Sequence, residues 1–153
     1  MVRILFVCHG NICRSTMAEF VMAALVHRAG LAGEFVIASS ATSREEIGAD
    51  THPGTKRELQ AHAVPYWPRM AVQLTAGDYT MYDYIIGMDA ENIRNIKRIT
   101  NGDPDGKVQR LLSFSRHERD VADPWYTGDF SATWQDVLTG CKGLLHYIQV
   151  KQG

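Results

Sequence analysis

The run Ile4-Leu5-Phe6-Val7 passes directly into Cys8-His9-Gly10-Asn11-Ile12-Cys13-Arg14-Ser15. A short, wholly apolar, β-branched run of this kind predicts a strand over Arg3–Val7 that is buried on both faces. Strands buried on both faces belong to parallel sheets, and parallel neighbours are joined through crossovers, usually helical. Gly10-Asn11 supplies a turn after the strand, and Arg14-Ser15 leads into a stretch with helical periodicity. The chain therefore opens on a strand–loop–helix unit, the building block of an α/β fold.

The rest of the sequence repeats the pattern. Thr16–Arg28 sets Met17, Phe20, Val21, Ala24 and Leu25 on one helical face. Gly30 and Gly33 end that helix, and Thr16-x-x-Glu19 fits a capping box at its start. Glu34–Ser39 reads as a second strand, and His52–Ala63 as a helix with Pro53 in its first turn. Tyr82–Met88 reads as the third strand, centred on Tyr84-Ile85-Ile86, and Asp89 caps a helix that runs to Ile99. Val108–Leu112 predicts a fourth strand. Ser131–Val150 predicts a long amphipathic helix with Trp134, Val137, Leu138, Leu144, Leu145 and Ile148 in the core. The expected architecture is a three-layer, Rossmann-like α/β fold: a four-stranded parallel sheet with helices on both faces. With 153 residues and no repeat, low-complexity tract or long linker, residues 1–153 are expected to form a single domain. Ligands of such sheets bind at the carboxyl ends of strands, beside a topological switch. The loop 8–15 occupies such an end.

Composition narrows the function classes. A net charge of -1 makes no case for nucleic acid as a partner. No apolar run approaches the roughly 20 residues of a membrane span, and a signal peptide would sacrifice the Cys8 loop. A cytoplasmic protein without a membrane partner is expected. Cys8, Cys13 and Cys141 are an odd, sparse set, unlike a secreted disulfide framework. Cys8-His9 are adjacent and the other histidines scattered, so no zinc spacing is present. Neither metal nor cofactor is expected.

The Cys8–Arg14 spacing brings a thiol, a guanidinium and backbone amides together. A helix N-terminus behind Cys8 favours the nucleophilic thiolate. Gly10 and Asn11 tolerate positive φ, so successive N–H groups are able to turn inward around an anion. Arg14 offers a planar fork to two phosphate oxygens, and Ser15 a hydroxyl to the Cys8 sulfur. The plain alternative is a buried core thiol beside a solvated arginine. The preceding strand, the internal Gly-Asn and the helix-opening Arg-Ser favour the phosphate cradle.

Val-Cys-His-Gly-Asn-Ile-Cys-Arg-Ser resembles the signature of the low-molecular-weight protein tyrosine phosphatases. Three further segments resemble that family in order: Ser39–Ser43 with Ile47-Gly48, Asp83–Asp89, and Asp123-Pro124-Trp125-Tyr126. The resemblance implies Cys8 as nucleophile, Arg14 as phosphate ligand and Asp123 as general acid, then base. Asp120 competes for the acid role but lacks the following proline, which stiffens the loop. The implied chemistry is a phosphocysteine intermediate, hydrolysed by water. Cys13 is either a small packing residue or, as the resemblance implies, a redox guard forming a reversible disulfide with Cys8. Asn11 and Ser39 are expected to support the loop.

Substrate choice is expected to follow the walls. Ile12 suits the face of an aryl ring, whereas a small polar residue there is associated with phosphoarginine phosphatases of the same fold. Trp125 and Tyr126 are candidate second walls, and His9 is placed at the entrance without a catalytic role. Arg44-Glu45-Glu46 stands where the family often carries an aromatic, which puts Glu45 and its neighbours at the rim. Tyr66-Trp67-Pro68-Arg69 stands where the family often has a supporting histidine. Expected partners are a phosphotyrosine protein or small aryl phosphate, with inorganic phosphate or another oxyanion in the loop. The alternatives are a phosphoarginine phosphatase, an arsenate reductase and a non-catalytic phosphate-binding module.

Overall fold

β1 (Val2–Cys8) lies inside a four-stranded parallel sheet ordered β2-β1-β3-β4 in the computed structural model, which describes residues 1–152. The other strands are β2 (Phe35–Ala41), β3 (Tyr84–Gly87) and β4 (Val108–Arg110). The continuous apolar run of β1 is explained by its alternation between two cores. Ile4, Phe6 and Cys8 enter one core with Ile86 and Met88, beneath α1 (Arg14–Arg28) and α6 (Phe130–Gln152). Leu5 and Val7 enter the other with Ile85 and Val108, beneath α4 (Ala90–Ile99). The three-layer α/β architecture expected from the sequence is the one observed. Short helices α2 (Pro53–Ala61), α3 (Asp78–Met81) and α5 (Pro124–Thr127) complete the connections.

The chain leaves β1 towards β2 on one side, then returns to place β3 on the other. The resulting switch point lies at the carboxyl end of β1, where Cys8 pairs with Ala41 and Val7 with Gly87. Three connections converge there: the loop after β2, the turn after β3 and the segment leading to α5.

Local expectations needed correction in α1. The helix starts at Arg14 rather than Thr16, and Arg14–Met22 are buried without interruption, so no single apolar stripe describes it. Met17, Phe20 and Val21 are buried as expected, and Ala24 and Leu25 are partly so. The capping box does not form. Cys13 occupies the cap position with no side-chain hydrogen bond. Thr16 donates instead to the carbonyls of Ile12 and Cys13, both at 3.1 Å, and Glu19 turns to Ser39. Buried polar partners in the tertiary structure outcompete the local cap. Asp89 does cap α4, accepting from Asn92 N at 2.7 Å.

β4 also ends early. After Arg110 the chain leaves the sheet through a 3₁₀ turn over Leu111–Phe114, burying Leu111 and Leu112 against α6. The two elements approach closely at Gly140 and Gly143: a Cβ on Gly140 would overlap the Leu111 side chain, and one on Gly143 the Phe114 carbonyl. The second overlap is with backbone and has no rotamer to relieve it. Alanine in a helix gains about 1 kcal/mol over glycine, but overpacking costs about 1–3 kcal/mol or more. Gly143→Ala is therefore expected to lower the unfolding free energy in urea by about 1–2 kcal/mol. Gly33→Ala, with open space around it, should stay within about 0.5 kcal/mol.

Candidate active site

Residues 8–15 wrap from the end of β1 to the first turn of α1. Only Asn11 among them is left-handed, at φ 59°. Gly10 contributes differently from the expectation: its missing Cβ leaves room for Glu46, whose Cγ would lie 3.4 Å from one. The left-handed conformation is unfavourable for a residue with a side chain, and here four hydrogen bonds hold it. The Asn11 amide donates to Ser15 Oγ (2.7 Å) and Ser39 Oγ (2.9 Å). Its Oδ1 accepts from Arg69 Nη2 (2.9 Å) and Val72 N (3.2 Å). The side chain is fully buried and its hydrogen-bonding capacity is filled. Arg69 Nη1 also donates to the Asn11 carbonyl at 3.2 Å.

The expected Asn11–Ser39 contact is thus present, while Arg69 and Glu19 are supports that sequence reasoning missed. Ser39 donates to Glu19 Oε1, which lies 3.7 Å from Arg69 Nε. Burial raises the Glu19 pKa, against the hydrogen bond from Ser39 and the charge of Arg69. Glu19 was legible only as part of a capping box, and Arg69 only as a departure from the family histidine.

Cys8 Sγ lies 3.1 Å from Ser15 Oγ. The Asn11 amide already occupies an acceptor site on that oxygen. The Ser15 hydroxyl proton is therefore free to face the sulfur when Cys8 is a thiolate. Because no side chain caps α1, its first N–H groups stay available to an anion beside Cys8.

Arg14 forms the buried wall opposite, 3% exposed. It donates from Nη1 to Asp89 Oδ2 (2.9 Å) and the Val121 carbonyl (3.2 Å), and Nη2 lies 3.2 Å from Asp123 Oδ2. Burial pulls its pKa down, but Cys8, Asp123 and Asp89 together outweigh that and raise it. Asp89, read from sequence as a helix cap and as the end of the family-like segment Asp83–Asp89, is also the half-buried partner of Arg14. Its position after β3, beside β1, was a topological signal.

Asp123 caps α5, its Oδ1 accepting from Trp125 N at 3.0 Å. The competing Asp120 is turned away and accepts from Ala90 N and Arg110 Nη1, both at 3.0 Å. Cys8, Arg14 and Asp123 line one cleft of about 400 Å³. Ile12 lines it too, although largely buried in a small cluster with Cys13 and Ala71. Trp125 and Tyr126 stand exposed at the mouth beside His9, whose Nε2 pairs with Glu45 Oε2 at 2.9 Å. Cys13 lies in the cleft wall, its pKa pushed up to about 12 by burial, then by Cys8 and Asp123. No group of three or more His, Cys, Asp or Glu side chains is arranged to hold a metal among the described residues.

A left-handed loop between strand and helix, closed by a buried arginine that faces an aspartate from a distant segment, defines a cysteine-dependent phosphatase scaffold. The family model for low molecular weight phosphotyrosine protein phosphatases matches residues 3–153. Low molecular weight protein-tyrosine-phosphatase YfkJ of Bacillus subtilis is 38% identical over 151 residues, 97% of each chain. PtpA of Staphylococcus epidermidis is 40% identical over 149 residues, 97% of this chain and 94% of that one. The YfkJ crystal structure superposes with a TM-score of 0.95 over 100% of this chain and 98% of that one, at 37% identity. This chain belongs to the low molecular weight protein-tyrosine-phosphatase family.

Arg69→Met would strip a charge partner from buried Glu19 and a donor from Asn11. Breaking a buried pair typically costs about 3 kcal/mol or more, and a loss of about that size is expected in urea unfolding at neutral pH. The remaining Glu19 carboxyl, buried and unpaired, has a folded pKa above its unfolded value. Its penalty is full above the folded pKa and vanishes below the unfolded value near about 4.3. The deficit should therefore shrink as pH falls towards about 4, and Glu19→Gln added to Arg69→Met should recover part of it at neutral pH.

Proposed function

We propose that this phosphatase hydrolyses phosphotyrosine in two steps at the Cys8–Arg14 loop, acting as one domain. The Cys8 thiolate attacks phosphorus in line, forming an S–P bond as the bond to the tyrosyl oxygen breaks. Asp123 delivers a proton to the departing oxygen. Water, deprotonated by Asp123, then cleaves the S–P bond and releases inorganic phosphate. Arg14 and the loop amides hold the three equatorial oxygens throughout. Ser15 stabilises the sulfur anion both before attack and when it leaves.

The single observation that carries this reading is the meeting of Arg14 Nη2 and Asp123 Oδ2 at 3.2 Å in the cleft that Cys8 lines. An oxyanion in the loop competes with Asp123 for Arg14. Binding of phosphate thereby weakens the hold of Arg14 on the Asp123 carboxyl and frees it to face the departing oxygen. The aryl ring of the substrate rests between Ile12 and the Trp125-Tyr126 pair. A purely phosphate-binding module would need neither thiol nor acid. An arsenate reductase would need a mobile relay thiol, and Cys141 is wholly buried in α6 with its Sγ 3.8 Å from the Ala18 carbonyl. A phosphoarginine substrate is disfavoured by the apolar Ile12 wall.

Peroxide that converts Cys8 to a sulfenic acid would let Cys13 condense with it, releasing water and forming the Cys8–Cys13 disulfide. The raised pKa of Cys13, near 12, keeps that closure slow at neutral pH. A reducing cytoplasm suits an enzyme whose nucleophile is a free thiol.

Cys8→Ser should abolish turnover of an aryl phosphate. Asp123→Ala should slow esters of poorly acidic phenols by about 10²–10⁴-fold, the usual range for a general acid, and activated nitrophenyl esters far less. Equal slowing of both would remove Asp123 from the acid role.

A further inference from the structure

The cation of the cleft lies at its floor, and its rim is acidic. At the floor, Arg14 is buried and shares its charge with Asp89 and Asp123. At the rim stand Glu45, Glu46 and Glu91, and among the described residues no Lys or Arg other than Arg14 lines the cleft. Glu45 and Glu91 are exposed and Glu46 half-buried. The sheet order sets these acids on both flanks of the Cys8 loop. Glu45 and Glu46 follow β2 on one side, and Glu91 lies in the first turn of α4, after β3, on the other. Arg44, the nearest cation in sequence, is turned to Gln73 Oε1 at 3.0 Å. The loop is tied in place, because Ser43 donates to the His9 carbonyl from both N (3.0 Å) and Oγ (2.9 Å).

An acidic rim is unfavourable for the phosphate itself, so its charge bears on what surrounds the phosphate. We propose that the rim selects phosphotyrosine flanked by basic residues and rejects phosphotyrosine in acidic segments. This rests on the phosphotyrosine reading of the site and adds the class of sequence that it accepts. A peptide crossing the mouth meets acid whichever way it runs, so basic residues on either side of the phosphotyrosine are favoured. Trp125 and Tyr126, exposed at the mouth, add apolar and cation–π contact to Lys or Arg side chains.

The test compares kcat/KM for two peptides of equal length, with phosphotyrosine flanked on both sides by Lys or by Glu, beside free phosphotyrosine. At low salt the Lys-flanked peptide should be faster by about tenfold. The ratio should narrow to about threefold or less by about 0.5 M salt, where screening acts within a few ångströms. In Glu45→Lys/Glu91→Lys, both at exposed positions, the ratio should collapse to about one or invert. Equal rates for the two peptides with the unaltered enzyme, or a ratio unmoved by charge reversal, would overturn the rim assignment while leaving the phosphatase reading intact. Absence of turnover for free phosphotyrosine would instead sink the phosphotyrosine reading, and the rim assignment with it.

Discussion

The site depends on the clamped side chain of Asn11. A left-handed residue in the middle of the Cys8–Arg14 loop turns the backbone between β1 and α1, and asparagine bears that conformation more readily than bulkier residues. Its amide is gripped from three directions: Ser15 within the loop, Ser39 from β2, and Arg69 with Val72 from the segment ahead of β3. The same bonds orient Ser15 towards the Cys8 sulfur. Loop shape and the placement of the Ser15 hydroxyl at the sulfur are therefore one network. Buried polar networks of this kind hold one geometry when fully satisfied and are costly when broken.

Charge in the molecule is layered around that loop. Buried Arg14 sits between Asp89 and Asp123 and pairs with both. Glu19 and Arg69 form a second pair behind the loop, where burial raises the carboxyl pKa and the guanidinium opposes it. The rim acids lie outside both. Charged groups thus lie at three depths: the pair behind the loop, Arg14 with its two carboxylates in the cleft, and the acids of the rim.

Much of the fold was legible because its signals are local. The uninterrupted apolar run of β1 requires a partner on each face, and alternating strand and helix patterns then leave few topologies. The departures arise where tertiary contacts override local preference. Thr16 and Glu19 have the spacing of a capping box, yet Glu19 gains more from Ser39 and Arg69 than from the helix end. Val108–Leu112 reads as one strand, yet Leu111 and Leu112 turn out of the sheet to fill the space that Gly140 and Gly143 leave on α6.

The sequence by itself determined the local frame of the site: Cys8, Arg14 and Ser15 are close along the chain, and the strand before them, the internal Gly-Asn and the helix after them favour a cradle for an anion over a buried core thiol. It also pointed to Asp123 through the resemblance of its Asp-Pro loop. Only the tertiary structure shows that the Asp123 carboxylate reaches Arg14 while Asp120 is held by Ala90 and Arg110. It alone brought Asp89, Glu19 and Arg69 to the loop and set Glu91 opposite Glu45. Those partners lie on different crossovers, and which crossovers meet is fixed by strand order, a property of how the sheet closes its two cores and not of any one segment.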